Sequence, residues 1–265
     1  ETLVAPAIGN HEYVEEFEDT PQERRVLGRH WPVTFALPGN GASAAQQTSY
    51  WFDAQGVRVA VVDGTSALDL GTAKAQAQWL DKILTGNPQP WTLVLLHQPF
   101  YSPREGRENA ALRDVLLPVV RRHNVDLVLQ GHDHTYGRRG EGQAATPQYV
   151  VTVAGPKQYR LSEEARRTMD PVAEDTQLFQ VLHIDPQHLP ARNLRADDPA
   201  LAIELDRIRH AEVARDHLMH TARQIDRPPA RPRHVNAHPR GGVVAARPDE
   251  RAEPERLERL TLEGA

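Results

Sequence analysis

The sequence predicts an α/β layered domain on three observations. Five short apolar runs rich in Val, Leu and Ile recur between residues 57 and 184, and two stretches between them carry apolar residues at helical spacing. The histidines best suited to chemistry fall just after two of those runs, where α/β sheets gather their functional loops.

The elements follow in order. Residues 3–8 (LVAPAI) read as the end of a strand that stops at Gly9 in a tight loop. Residues 57–63 (VRVAVVD) suit a buried strand ending in an acid, and Asp63 is expected to cap the following turn. Ala75, Trp79, Leu80 and Ile83 then predict a helix over 72–84. A second strand, 91–97 (WTLVLLH), delivers His97 to its own carboxyl end, and Pro99 stops it. Leu112, Leu116, Val119 and Val120 predict a helix over 109–123, which Pro118 should bend or end. Further strands are expected at 125–130 (VDLVLQ), 149–154 (YVVTVA) and 178–184 (LFQVLHI).

Residues 1–195 thus form one domain, and the character changes beyond them. Asp198 and Pro199 read as a cap and first helical residue, with Leu201, Leu205, Ile208, Leu218, Ala222 and Ile225 as a partly amphipathic stripe. A helix is expected over 196–226. His210, His217 and His220 would lie on its solvated surface. Residues 227–265, crowded with Pro, Arg and Gly, have few large apolar side chains to bury and are expected to be disordered.

The composition narrows the chemistry. A chain of 265 residues with 39% hydrophobic content can bury a substantial core. A net charge of −5 gives no basic signature for nucleic acid, and no apolar run is long enough to cross a bilayer. The absence of cysteine removes thiolate ligands and cysteine nucleophiles, so any metal must sit on His, Asn, Asp or Glu. The chain opens at Glu1, straight into a motif, so an export signal upstream would send it to the periplasm or outside the cell.

Three short motifs carry the chemistry. In Gly9-Asn10-His11-Glu12, Asn10 offers a carbonyl oxygen and His11 an imidazole. His97 follows its strand within HQPFYSP. Gly131-His132-Asp133-His134 places two histidines one residue apart, pointing the same way if the backbone is strand-like. Taken singly, the first is an ordinary turn and the second a capping or core histidine; their value lies in their order. GNHEY, QAQWL, HQPFYSP, GRENAALRDVLLPV and VDLVLQGHDHTYGR together resemble the calcineurin-like metallophosphoesterases, in their purple acid phosphatase-like branch.

That resemblance, running from residue 1 to about residue 195, implies two packed β-sheets flanked by helices in four layers. It implies that Asn10, His97 and His132 bind one metal and His134 another, the metals being Fe, Zn or Mn. It makes His11 the group that binds phosphate and protonates the leaving group, while Glu12, Tyr101, Tyr136 and Arg138 stand behind the ligands or line the pocket. The implied reaction is hydrolysis of a phosphate ester by a metal-bound hydroxide.

The family's two earlier motifs, Asp-x-His or Asp-x-Gly and a Gly-Asp motif, are expected upstream of residue 1, with the carboxylate that bridges the metals. Their absence from the chain implies an N-terminally incomplete sheet with an exposed edge. Asp63 and Asp133 are the nearest substitutes by sequence, but one is expected to cap a turn and the other to face away. The rival readings are an inactive relative with one weak metal site, and a non-enzymatic binding module.

Overall fold

The alternation of side chains along four parallel strands sets the architecture. The computed structural model describes residues 3–140 and 147–184, and the backbone of 201–207. A short 3-10 turn, Asn10–Glu12, leads into a hairpin of β1 (Tyr13–Glu16) and β2 (Arg24–Leu27). Helix α1 (His30–Thr34) and strand β3 (Tyr50–Ala54) precede β4 (Val57–Val61), α2 (Gly64–Asp69) and α3 (Ala73–Leu84). Then come β5 (Trp91–Leu95), α4 (Ala110–Arg122), β6 (Leu127–Gln130), β7 (Tyr136–Arg139), β8 (Gln148–Val151), α5 (Glu163–Thr168), β9 (Val172–Ala173), β10 (Leu178–Ile184) and β11 (Leu201–Arg207).

Seven of these strands form one sheet in the order β3-β4-β5-β6-β8-β7-β9. Its centre, β4 to β5 to β6 to β8, is parallel, with α3 and α4 as crossovers between the first three strands. Val57, Val59, Val61, Leu93 and Leu127 face one way and meet Leu178 and Leu182 of β10. Ala60, Val62, Val94, Leu96 and Val128 face the other way and meet Leu80, Leu84, Leu112, Leu116 and Val120. Each strand is buried on both sides, which is why it reads as a continuous apolar run. The β10–β11 pair forms a second sheet, with β10 packed on the face opposite α3 and α4.

Three expectations need correction. Helix α4 runs through Pro118: both Pro118 and Asp114, whose carbonyl loses its partner, are exposed, so water can satisfy the freed group. The expected helix over 196–226 is contradicted at Leu201–Arg207, which pairs antiparallel with β10 from Ile184↔Leu201 to Leu178↔Arg207. The segment carries Leu201, Ile203 and Leu205 in strict alternation, and the β10 edge selects that period over the helical one. The remainder of that expected helix, and the tail over 227–265, lie outside the described residues. The segment 3–8 joins no ladder; it is held instead by burial of Ala5 and Ile8 and by the Tyr50 hydroxyl, which donates to the Pro6 carbonyl at 2.9 Å.

Candidate metal centre

The carboxyl ends of β5 and β6 are locked side by side. Leu96 N–H donates to the Leu129 carbonyl at 3.1 Å and Gly131 N–H to the His97 carbonyl at 2.9 Å. These two bonds carry the parallel register past the strands and place the His97 and His132 loops together. From the other side comes the Asn10–Glu12 turn, in which Gly9 N–H donates to Glu12 Oε2 at 2.8 Å. Glu12 therefore serves as a cap for the loop.

The His-x-His segment is not strand-like. His132 and His134 have φ of 71° and 49°, in the left-handed region that residues with a β-carbon adopt at a cost of about 1–2 kcal/mol. Asp133 N–H donates to the Gly131 carbonyl at 2.8 Å, which makes His132 the centre of the rare γ-turn with positive φ. Asp133 itself is fully buried, accepts from Ser102 Oγ at 2.5 Å, and lies 2.8 Å from Arg107 Nε. Its carboxylate is thus engaged by Ser102 and Arg107.

Three donor atoms converge. Asn10 Oδ1 lies 3.0 Å from His97 Nε2, and His97 Nε2 lies 3.0 Å from His132 Nδ1. The two rings meet edge to face, with centroids 4.8 Å apart. Burial, then repulsion by His11, His134 and Arg107, pushes His97 down to about 4. Burial and the neighbouring charge of His97 push His132 down to about 3. Both imidazoles are consequently neutral at neutral pH, the state a metal ligand needs.

His134 stands slightly apart. Its Nδ1 lies 3.1 Å from the Lys157 carbonyl, and since a carbonyl oxygen only accepts, Nδ1 carries the proton and Nε2 keeps its lone pair. Burial also lowers its pKa. His11 is exposed, and lies near enough to His97 and His134 to oppose their protonation.

These residues fit one metal by donor type and spacing. Adjacent ligands of an octahedral ion with bonds of about 2.1 Å stand about 3.0 Å apart, and the Asn10 and His132 donors each stand at that separation from His97 Nε2. The amide of Asn10 is essential to the set. Among the described residues, no group of three or more His, Asp or Glu is arranged to hold an ion.

Neither suggested acid supplies a bridge. Asp63 caps α2 by accepting from Ser66 N–H at 2.9 Å and also accepts from the Tyr13 hydroxyl, while Asp133 is committed to Ser102 and Arg107. Arg107 also donates to His132 Nε2. A guanidinium only donates, so in the neutral ring Nδ1 carries the proton, and a metal at Nδ1 requires that proton to leave.

The expected pocket residues divide. Tyr136 is fully buried in the core beneath the sheet, where desolvation pushes its phenol up to about 12. As the first residue of β7 it packs into the apolar layer. Tyr101 packs edge-on against Tyr149 at 5.1 Å and accepts from Arg121 at 3.0 Å. Arg138 donates to Gln148 Oε1 at 2.9 Å across the β7–β8 pair.

Arg107, Arg104, Lys157 and Tyr159, which do adjoin the histidines, were missed by sequence reasoning. The usable signal was the pair of arginines in the loop following His97.

A family model described as calcineurin-like phosphoesterase matches residues 2–136. Purple acid phosphatase 21 of Arabidopsis thaliana is 24% identical over 176 residues, covering 63% of this chain and 39% of that protein. Purple acid phosphatase 22 of the same plant is 28% identical over 135 residues, covering 49% and 30%. Fe(3+)-Zn(2+) purple acid phosphatase 12, also from Arabidopsis thaliana, is 30% identical over 93 residues, covering 33% and 20%. The chain thus spans 39% or less of the length of these curated relatives.

Proposed function

The chain belongs to the calcineurin-like phosphoesterase family, and on that premise we propose that it hydrolyses phosphate esters at a metal centre held by Asn10, His97 and His132. The observation that carries this reading is that His97 Nε2 lies 3.0 Å from Asn10 Oδ1 and 3.0 Å from His132 Nδ1. His134, whose Nε2 keeps its lone pair because Nδ1 donates to the Lys157 carbonyl, is the ligand assigned to a second metal.

A bound metal would supply Lewis-acid polarisation of the phosphoryl oxygens and acidify a water. Nitrogen and oxygen donors of this kind suit Fe, Zn and Mn, and the relative named for Fe(3+) and Zn(2+) points the same way. The protein's own residues do the rest. Burial keeps the His97 and His132 rings uncharged, and at His132 Nδ1 a metal would take the place of the ring proton. His11 is assigned to receive the phosphate group and donate a proton to the leaving oxygen, a role that its exposure and its nearness to His97 support.

A second reading, an inactive relative with a single-metal site, is favoured by one observation: Asp63 and Asp133, the acids nearest by sequence, are engaged with Ser66 and Tyr13 and with Ser102 and Arg107. Metal analysis of the full chain, paired with hydrolysis of an aryl phosphate ester, separates the two. His132→Ala should lose metal, whereas His11→Ala should keep it and lose turnover. Equal metal loss in both variants would sink the division of labour. At most one ion per chain with no turnover would favour the second reading.

A further inference from the structure

Residues 9–12 belong to no strand, yet they must set Asn10 against His97. The two residues flanking them lie in one apolar cluster, where Ile8 and Tyr13 pack with Trp31. Tyr13 N–H donates to the Asn10 carbonyl, which ties the backbone of one to that of the other. A shift of Tyr13 is therefore passed directly to Asn10.

Tyr13 is in turn anchored on the carboxyl end of β4. Its hydroxyl donates to Asp63 Oδ2, and the buried hydroxyls of Thr48 and Ser66 also face its oxygen. Asp63 is fully buried and firmly held. Its N–H donates to Gln76 Oε1 at 2.9 Å, its carbonyl accepts from Gln76 Nε2 at 2.8 Å, and Oδ1 accepts from Ser66 N–H at 2.9 Å. One residue earlier, Val62 N–H donates to the Leu95 carbonyl at 2.8 Å, which fixes this end of β4 against the strand that delivers His97. Asn10 and His97 are thus measured from one frame.

Apolar contact alone would not give that placement. The cluster of Ile8, Tyr13 and Trp31 resists separation but not sliding, since apolar burial has no direction. A phenol that donates to a carboxylate is restricted in both distance and angle. Capping α2 occupies Asp63 Oδ1, and Oδ2 is the oxygen given to the loop.

We propose that Tyr13 is a positioning residue: its hydroxyl, seated on Asp63, sets the Asn10 amide at its distance from His97 without touching metal or substrate. This deepens the metal-centre reading and rests on it.

Two measurements on the full chain test it. In chelator-treated protein with isotope-labelled histidine and asparagine, Tyr13→Phe keeps the ring and should move the His97 ring and Asn10 side-chain amide resonances. Asp63→Asn, which leaves the hydroxyl a partner with donor and acceptor exchanged, should leave them close to their original positions. Zinc affinity should then fall about tenfold in Tyr13→Phe and stay within about threefold of the unaltered protein in Asp63→Asn. Because the hydroxyl acts through Asn10, adding Tyr13→Phe to Asn10→Ala should cost no further affinity. Asn87→Ala, which removes a bond to Thr92 Oγ1 at the far end of β5, should lower stability and leave zinc affinity unchanged. Circular dichroism verifies folding, and should Tyr13→Phe not fold, Asp63→Ala withdraws the acceptor and carries the same expectations. Unmoved resonances, unchanged affinity in a chain that does take up zinc, or a full further loss in the Asn10→Ala background overturns the proposal. No zinc uptake by the unaltered chain would instead sink the metal-centre reading, and the resonances of the metal-free protein would still decide whether Tyr13 places Asn10.

Discussion

Asn10 Oδ1 and His97 Nε2 stand 3.0 Å apart although 87 residues separate them, and Gly9 is what lets them meet. A β-carbon at position 9 would lie 3.1 Å from His97 Cε1, 3.2 Å from Cδ2 and 3.1 Å from Glu12 Oε2. Its φ of −109° is open to any residue, so the need is for space and not for conformation. Gly9→Ala should therefore push the His97 ring away from Asn10 while altering global stability by less than about 1 kcal/mol. Zinc affinity should fall by about tenfold, the scale on which misaligned ligands act. An unchanged zinc titration would show that the ring does not need this clearance.

Arg107 and Asp133 form the support behind His132. Asp133 is fully buried, while the Arg107 side chain keeps 25% of its exposure. Removing the cation strands a buried charge, so Arg107→Ala should cost roughly 3 kcal/mol. Asp133→Asn keeps an acceptor for Ser102 and removes a charge that burial already disfavours, so it should cost less than about 1 kcal/mol. Urea denaturation of both variants decides it, and equal losses would mean that the pair matters for its shape alone.

Asp126 predicts a pH dependence. Its carboxyl, buried between β5 and β6, accepts from Thr92 N–H at 2.7 Å, yet burial raises it from 3.8 to about 7. The folded state thus holds a proton that the unfolded state has released between those values, and the stability this proton contributes is present at low pH and lost as pH rises through about 7. Asp126→Asn stays neutral and keeps the acceptor. Its stability relative to the unaltered protein should rise between pH 4 and 7 by on the order of 3–4 kcal/mol, and then level off. Parallel stability curves for the two proteins across that range would contradict the account.

Local pattern made much of the scaffold legible. Strands β4, β5, β6, β8 and β10 and helices α3 and α4 all appear near their expected positions, because burial on both faces or on one helical stripe writes itself into neighbouring residues. Where the pattern was ambiguous, partners decided. Leu201–Arg207 carries both a helical and an alternating set of apolar residues, and β10 takes the second. The β1–β2 hairpin went unread because its sequence, YVEE against RRVL, pairs charges across strands and has no continuous apolar face.

The sequence by itself determined the kind of atoms available to the site, Asn10, His11, His97, His132 and His134, and their order along the chain. The tertiary structure decided which of those atoms meet. The bonds from Leu96 to Leu129 and from Gly131 to His97 bring two loops into register, the Lys157 carbonyl chooses the tautomer of His134, and the positive φ of His132 turns its ring toward His97. Residue identity and period are local properties that a sequence displays directly. Convergence at 3.0 Å depends on hydrogen bonds and packing between segments tens of residues apart, and only the folded chain brings those together.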